Sequence, residues 1–290
     1  MQLALGPRRF EVTSRAVVMG ILNRTRDSFY DRGTHFELDA FLRHAERLVR
    51  DGADVLDVGG RPGGVGVREV GEEEETDLVV ESVEALRRRF DVPISVDTRR
   101  SAVARAAFGA GAVMGNDMSG FRDPDYLTVA ATAGASLIAT HIRLPPGVPD
   151  PEPVYEDVVE DVATALGELS ERAQAAGIPR ERIVLDPGYD LGKSWEQTLT
   201  LLAHTARLAE LGLPLLVAVS NKIFLGRLLE LAVDERGAAT VAACAYGVAR
   251  GGRVLRVHDV RAGRQVADLL AALLERERGP HAVPPAPQPP

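Results

Sequence analysis

The chain of 290 residues contains a single cysteine, Cys244. One cysteine excludes an intrachain disulfide and the paired-cysteine pattern of a structural zinc site. A chain of this length buries enough surface to be stable without such cross-links. A reducing compartment, the cytoplasm, is therefore expected.

Long apolar runs and an excess of positive charge are absent as well. No run approaches the roughly 18 apolar residues of a membrane-spanning helix, and the start MQLALGPRRFEV lacks the apolar segment of a signal peptide. The net charge is −8, which argues against a surface that binds nucleic acid. We therefore expect neither a membrane nor a nucleic acid as a partner.

Lysine and asparagine are scarce. Of the 34 basic residues only two are lysines, Lys193 and Lys222, and the asparagines are Asn23, Asn116 and Asn221. All five lie in or just after segments that we interpret below as strand ends. Because arginine serves for most cations here, lysine and asparagine remain mainly where their own chemistry is needed. Their positions therefore indicate a site.

Short β-branched runs alternate with longer amphipathic stretches along the chain. The predicted strands are Val17–Leu22, Val55–Val58, Ile94–Val96, Val113–Gly115, Leu137–Ala139, Ile183–Leu185, Leu215–Val219 and Val254–Val257. The predicted helices are Leu38–Arg50, Glu73–Arg89, Ser101–Phe108, Tyr126–Ala133, Val154–Ala176, Gln197–Leu211, Ala238–Arg250 and Gly263–Arg278. Eight strands in strict alternation with helices predict a single-domain (β/α)8 TIM barrel, with an open doubly wound sheet as the alternative.

The ends of the chain lie outside this alternation. Residues 1–14 are expected to be a lead-in, and residues 15–279 the barrel. Residues 280–290 are rich in proline and have no periodic pattern, so they are expected to be a disordered tail.

Every predicted strand leads to polar or ionisable residues. They are Asn23, Asp57, Asp97, Asn116-Asp117, His141, Asp186, Ser220-Asn221-Lys222 and His258-Asp259, with Arg256 two residues before His258. Each alone has a structural explanation, since an aspartate at a strand end is often a helix N-cap. Separate structural explanations would require the same coincidence of position at all eight strands, which is a poor explanation of the pattern. The pattern favours an active site in the loops that follow the strands, where such barrels carry theirs.

The chemistry of this set suits a flat, polar heterocycle. The carboxylates of Asp57, Asp97 and Asp186 can accept from ring N–H and amino groups, while amides and a lysine address ring nitrogens and a carbonyl. Arg256 and His258 share one side of the last strand, where they can hold a phosphate or pyrophosphate. The side-chain oxygen of Asn23 is a suitable ligand for Mg²⁺.

Taken in order, these segments resemble the dihydropteroate synthase family from Arg15 to Leu274. The motifs that carry the resemblance are Met19–Asn23 followed by Asp27-Ser28-Phe29, Gly52–Gly60, Ile94–Thr98, Asn116-Asp117, Asp186–Gly188 with Gly192-Lys193, and Arg256–Asp259. The resemblance implies condensation of 6-hydroxymethyl-7,8-dihydropterin pyrophosphate with para-aminobenzoate, with release of pyrophosphate, in folate biosynthesis. It also implies a homodimer.

The resemblance further implies a role for each site residue. The pterin would be held by Asp97, Asn116, Asp186 and Lys222. The pyrophosphate would be held by Asn23, Arg256 and His258, together with Mg²⁺ on Asn23. The residues with catalytic roles would be Asp31, which would stabilise the cationic intermediate, Lys222 and Arg256.

Three loops depart from the family pattern. Aligned without a gap, Pro62-Gly63-Gly64 stands where the family usually has Ser-Thr-Arg; aligned on Arg-Pro-Gly, three residues are missing from this loop. The first loop carries Arg24, Arg26 and Tyr30 in place of smaller or less charged residues. Asn221 replaces the arginine of Ser-Arg-Lys. The next residue is Ile223, where a small or polar residue often helps to receive the carboxylate of aminobenzoate.

These departures resemble those of a divergent, actinobacterial-type second copy of the enzyme. The sequence leaves two readings open: a synthase with drifted loops, or a pterin-binding paralogue whose condensation with para-aminobenzoate is lost or changed. A folate-using methyltransferase barrel is a third reading, but the sequence contains no feature of a partner or corrinoid site.

Overall fold

Eight parallel strands, hydrogen-bonded into a closed ring, form the centre of the computed structural model of the chain, which describes residues 1–25, 36–61 and 70–279. In chain order they are β3 (Val17–Asn23), β4 (Val55–Gly59), β5 (Ile94–Asp97), β6 (Met114–Asp117), β7 (Ser136–Thr140), β8 (Ile183–Asp186), β9 (Leu215–Val217) and β10 (Gly252–Val257). Each pairs with the next, and β10 pairs with β3. The predicted (β/α)8 barrel and its eight strands are confirmed.

Helices surround this ring. They are α1 (Leu38–Arg50), α2 (Glu72–Arg89), α3 (Ser101–Ala110), α4 (Tyr126–Ala133), α5 (Val158–Ala175), α6 (Trp195–Ala203), α7 (Thr205–Ala209), α8 (Ile223–Leu229), α9 (Gly237–Ala249) and α10 (Val260–Arg278). The segments Arg180–Arg182 and Val233–Glu235 are short 3-10 helices. In the described part of the chain, no helix is long and apolar enough to cross a membrane.

Three helix predictions need correction, and one further helix was not predicted. The helix predicted from Gly263 begins at Val260, where the side chain of Asp259 caps it. The helix predicted from Val154 begins at Val158, because the side chain of Asp157 accepts hydrogen bonds from the first backbone amides and sets the start. The predicted helix Gln197–Leu211 is divided at His204 into α6 and α7. Helix α8 was not predicted, since its seven residues are too few for a clear period.

The alternation of side chains along each strand separates two apolar layers. Outward-facing residues such as Val18, Leu56 and Leu137 pack against the helices in one buried cluster. Inward-facing residues such as Met19 and Ile138 form a second cluster inside the ring. This packing buries both faces of the sheet, as a parallel barrel requires.

A hairpin closes the end of the barrel where the strands begin. Its strands are β1 (Gln2–Leu5) and β2 (Arg8–Glu11), so part of the expected lead-in is an antiparallel pair. Leu3 and Leu5 are buried within the interior cluster. The carbonyl of Ala4 accepts a 2.6 Å hydrogen bond from the hydroxyl of Ser136, the first residue of β7. The opposite end, where the strands finish, is left for the polar residues.

Replacement of Leu137 by alanine tests the outer layer. Leu137 is fully buried, so Leu137→Ala is expected to lower the free energy of unfolding by about 2–5 kcal/mol. The matched control is Val154→Ala, since Val154 is 76% exposed and its truncation should change stability by less than about 0.5 kcal/mol. Urea unfolding of both variants gives the comparison. Equal losses would contradict the assignment of Leu137 to the core.

Candidate active site at the mouth of the barrel

A three-strand network of charges lies where the strands end. Arg256 of β10 donates from Nε to Oδ2 of Asp57 on β4 at 2.7 Å, and from Nη2 to Oδ2 of Asp97 on β5 at 2.8 Å. The side-chain amide of Asn116 on β6 donates to the same oxygen of Asp57 at 3.0 Å. The sequence places these residues far apart, and barrel closure brings them together.

Asp57 is the most enclosed member of this network. Its side chain has no solvent exposure, and its second oxygen, Oδ1, has no hydrogen-bond partner among the described residues. A buried acceptor left without a donor costs about 1–3 kcal/mol. Oδ2 of Asp57 is therefore bound by Arg256 and Asn116, while Oδ1 has no donor among the described residues.

Asp97 and Arg256 have shifted pKa values. Burial raises the pKa of Asp97 to about 6; Arg256 opposes this shift and the neighbouring charge of Asp57 adds to it. For Arg256, burial acts to lower the pKa, but attraction to Asp57 and Asp97 is stronger, so its net pKa is raised. The guanidinium remains charged, while Asp97 can change its protonation state near neutral pH.

Asp186 and Lys222 lie on the other side of the mouth. At the end of β8, Oδ1 of Asp186 accepts from the amide of Gly188 at 2.8 Å, and Oδ2 from the hydroxyl of Thr140 at 3.4 Å. Nζ of Lys222, after β9, donates to the carbonyl of Tyr189. Burial raises the pKa of Asp186 and lowers that of Lys222, and the mutual attraction of the two groups opposes both shifts.

The other lysine organises the loop between these residues. Nζ of Lys193 donates to the carbonyls of Gly188 and Leu191, both at 3.0 Å, and lies 2.9 Å from Nδ1 of His141. Burial lowers the pKa of Lys193 to about 7 and that of His141 to about 3. A neutral His141 accepts from the lysine through Nδ1. Lys193 therefore folds the loop that follows Asp186.

His258 is a neutral hydrogen-bonding group at this end of the barrel. Burial, followed by the positive charge of Arg256, lowers the pKa of His258 to about 3. Its backbone amide donates to the hydroxyl of Ser220 at 3.2 Å, and its Nδ1 lies 2.9 Å from the same oxygen. Because a hydroxyl both donates and accepts, this contact forms with either tautomer of the neutral ring.

Asn23, at the end of β3, lies over Gly59 and beside Asp97. A side chain at position 59 would come within 2.5 Å of the Asn23 oxygen and 3.8 Å of Cβ of Asp97. A larger residue at position 59 would therefore displace the side chain of Asn23. Among residues 1–25, 36–61 and 70–279, no three His, Cys, Asp or Glu side chains are grouped as a metal site. An amide oxygen is nevertheless a ligand type that Mg²⁺ accepts when phosphate oxygens and water complete its shell.

Several predicted features of the first two loops lie outside the described residues. They are Arg26, the motif Asp27-Ser28-Phe29, Tyr30, Asp31 and the segment Pro62-Gly63-Gly64. Arg24, by contrast, is described, and it binds away from the Arg256 network. It donates to the carbonyl of Phe36 at 2.9 Å and forms a 2.5 Å ion pair with Glu81 of α2. Its role is to attach the start of the first loop to a surrounding helix.

One residue near the mouth was not anticipated. Oδ2 of Asp190 accepts from the amides of Ile223 and Phe224 at 2.7 and 3.3 Å, which are the first two residues of α8. Asp190 has φ of 62°, in the left-handed region that favours glycine. The sequence carried no signal for this cap, because the helix it caps was itself not predicted.

Comparison with known proteins identifies the relatives of this chain. The model of the family described as pterin binding enzyme matches residues 19–258. A dihydropteroate synthase of Clostridium beijerinckii is 36% identical over 276 residues, covering 94% of this chain and 100% of the relative. The structure of the Yersinia pestis dihydropteroate synthase with a sulfonamide drug complex has a TM-score of 0.90 at 37% identity, covering 95% of this chain and 100% of that one.

A second solved structure is a dihydropteroate synthase of Xanthomonas albilineans with 4-aminobenzoic acid. It has a TM-score of 0.85 and 38% identity, covering 96% of this chain and 99% of that one. Coverage of nearly the whole length of each relative means that the likeness includes the barrel and its strand ends.

The raised pKa of Asp97 predicts that this residue costs stability. Between 3.8 and about 6, the folded protein binds the Asp97 proton more tightly than the unfolded chain, so stability is lost as pH rises through this window. Asp97→Asn removes that loss. The variant is expected to unfold at a higher temperature than the wild type at pH 8, by roughly 2–4 °C for each kcal/mol regained. The difference should vanish below pH 4.

Differential scanning calorimetry across this pH range measures the effect. A variant that is less stable than the wild type at pH 8 would mean that the ion pair with Arg256 outweighs burial.

Proposed function

The chain belongs to the dihydropteroate synthase family of pterin-binding enzymes, and we propose that the mouth of its barrel holds the substrates of that reaction. The chain is a transferase of folate biosynthesis: it condenses 6-hydroxymethyl-7,8-dihydropterin pyrophosphate with para-aminobenzoate. The observation that carries the proposed site is the convergence of Arg256, Asp57, Asp97 and Asn116 at the strand ends.

The pterin ring is proposed to lie between Asp97, Asn116, Asp186 and Lys222. The ring presents N–H and amino donors on one edge and a carbonyl on another, which matches carboxylates facing an amide and an ammonium. Asp57 has an oxygen without a donor among the described residues. Arg256 pairs with this carboxylate, and we propose that the two together form the floor beneath the ring.

The pyrophosphate is proposed to bind Asn23, Arg256 and His258. Two N–H groups of Arg256 are engaged with carboxylates, and others of its five can address an anion. His258 contributes a neutral N–H donor. Asn23 offers an oxygen to Mg²⁺, which, when bound, would neutralise charge on the leaving pyrophosphate.

These residues suit a reaction in which charge separates. The bond from the pterin methylene to the pyrophosphate oxygen breaks, and its electron pair leaves with the pyrophosphate. The amine of aminobenzoate then forms the new C–N bond and loses a proton. Fixed carboxylates near the cationic pterin and a fixed guanidinium near the anion stabilise both charges without rearrangement. Asp31 is proposed to assist the cation.

Para-aminobenzoate is the second substrate supported best. The Xanthomonas albilineans relative was solved with 4-aminobenzoic acid, and its fold covers nearly all of this chain. The alternative, a paralogue with lost or changed condensing activity, is based on loop residues alone, and no similarity found favours it.

The compartment and the oligomeric state are further proposals. Cys244 is the only cysteine and its thiol is buried, so a reducing cytoplasm would not weaken the fold. Large apolar side chains are exposed on the neighbouring helices α9 and α10: Val241, Tyr246, Leu269 and Leu273. An apolar surface of this kind is typical of an interface. We therefore propose a homodimer in which the paired surfaces include α9 and α10.

The enzyme is expected to release pyrophosphate only when dihydropterin pyrophosphate, para-aminobenzoate and Mg²⁺ are all present. Arg256→Met should slow this release by about 100-fold, since a fixed electrostatic group facing the transition state is lost. The matched control is Arg207→Met, because Arg207 pairs with Glu160 and Glu210 on the surface. A coupled phosphate assay measures both.

Absence of release at high enzyme concentration, with pterin binding shown by calorimetry in the same samples, would reject the synthase and leave the pterin-binding paralogue.

The dimer is tested by placing charge in the proposed interface. Wild-type protein is expected to sediment as a dimer, and the double variant Tyr246→Glu and Leu269→Glu as a monomer, because a buried unpaired charge opposes association. Val154→Glu adds charge at a distant exposed position and should remain dimeric. Sedimentation velocity distinguishes the species, and a monomeric wild type at micromolar concentration would contradict the proposal.

A further inference from the structure

Asp190 connects the loops that carry Asp186 and Lys222. It lies four residues after Asp186, and its Oδ2 accepts from the amides of Ile223 and Phe224, immediately after Lys222. Its own amide donates to the hydroxyl of Thr198 in α6 at 3.1 Å. These bonds hold Asp190 at φ of 62°, which an aspartate adopts less readily than glycine. One carboxylate therefore joins the loop after β8 to the start of α8.

The backbone of Lys222 is held on both sides. Its carbonyl accepts from Nη1 of Arg236 at 3.3 Å, and the same nitrogen donates to the carbonyl of Asn221 at 2.9 Å. The amide that follows is the one bound to Asp190. The ammonium donates to the carbonyl of Tyr189, the neighbour of Asp190 in sequence. Asp190 thus fixes the backbone amide of Ile223, directly after Lys222. It also fixes the position of its neighbour Tyr189, whose carbonyl accepts from the Lys222 ammonium.

We propose that Asp190 is a positioning residue that holds Lys222 in place and keeps it charged in the pterin site. The inference rests on the proposed role of Lys222 as a pterin ligand. Asp190 does not itself contact the substrate; it acts through Lys222.

The charges that face Lys222 indicate in which direction its pKa moves when the charge of Asp190 is removed. Burial lowers the pKa of Lys222, while attraction to Asp190, Asp186 and Asp97 raises it and repulsion from Arg256 lowers it. Two further groups near Lys222, Lys193 and His258, feel its charge. Among the attractive carboxylates Asp190 has the largest effect. Removal of its charge alone therefore moves the titration of Lys222 to lower pH.

Three variants separate charge from hydrogen bonding. Asp190→Asn keeps an oxygen that can accept from Ile223 but removes the charge. Asp190→Ala removes both. The control is Asp157→Asn, since Asp157 caps a different helix, α5, in the same manner, through the amides of Val159 and Glu160 at 2.9 and 3.2 Å.

The two lysines of the chain allow a direct measurement. Protein labelled with ¹³C-lysine gives two side-chain signals, which Lys222→Arg assigns. In Asp190→Asn the midpoint of the Lys222 titration is expected to move to lower pH, with no such movement in Asp157→Asn. If Asp190 acted only as a helix cap, loss of its charge would not change the titration midpoint of Lys222. An unchanged midpoint in Asp190→Asn would overturn the inference.

Binding of dihydropterin pyrophosphate, measured by calorimetry, gives the second readout. Asp190→Ala is expected to raise Kd roughly fivefold at pH 7, because Lys222 then occupies its binding position in only a fraction of the molecules. In Asp190→Asn the loss of affinity at alkaline pH should begin at lower pH. KM for the pterin should rise while kcat holds. Unchanged Kd in Asp190→Ala would overturn the positioning role.

Failure of the proposed function is distinguishable from failure of this inference. Lys222→Met that binds the pterin as tightly as the wild type would reject Lys222 as a ligand. The titration experiment requires no substrate, so it would still report whether Asp190 controls the lysine.

Discussion

The buried guanidinium of Arg256 is the interaction on which the mouth of the barrel depends. It is shared by Asp57 and Asp97, so two neighbouring carboxylates remain close together around one positive charge. Without it, Asp57 would be an enclosed negative charge with the amide of Asn116 as its one donor among the described residues, and such a charge is strongly destabilising. The bond also fixes β10 against β4 and β5, across the seam where the barrel closes. The same contact that completes the fold therefore orients the site.

This arrangement is not one that stability alone would favour. Burial raises the pKa of Asp97 against the attraction of Arg256, so the charged form of this carboxylate is kept at a cost. Oδ1 of Asp57, which has no donor among the described residues, is a second cost. Both are relieved by a ligand that brings N–H donors, which is what a pterin ring offers. Functional sites commonly keep such local costs, because groups arranged in advance for a ligand cannot also satisfy one another.

The sequence predicted the barrel because strands and helices leave strong periodic signals in long segments. All eight strands were located from β-branched runs, and α1 was predicted with its observed ends. The polar residues at the strand ends followed from the direction of parallel strands. The partnerships among them did not follow, since the pairing of Arg256 with Asp57 depends on closure of the ring and not on spacing. Arg24 shows the same limit: in the sequence it is only a departure from the family pattern, and its contact with Glu81 shows that it attaches the first loop to α2.

The two lysines show how far scarcity can be used as a signal. Both lie at the end of the barrel where the strands finish, as the argument from composition predicted, yet their surroundings differ. Lys193 is enclosed by carbonyls and His141, so its ammonium serves as the centre around which a loop folds. Lys222 has Asp186 and Asp97 among the charges that face it, and its position depends on a helix cap that composition cannot reveal. The scarcity of lysine in the sequence therefore locates positions that need an ammonium group. The hydrogen-bond acceptors around each lysine decide whether the group holds a loop together or binds a substrate.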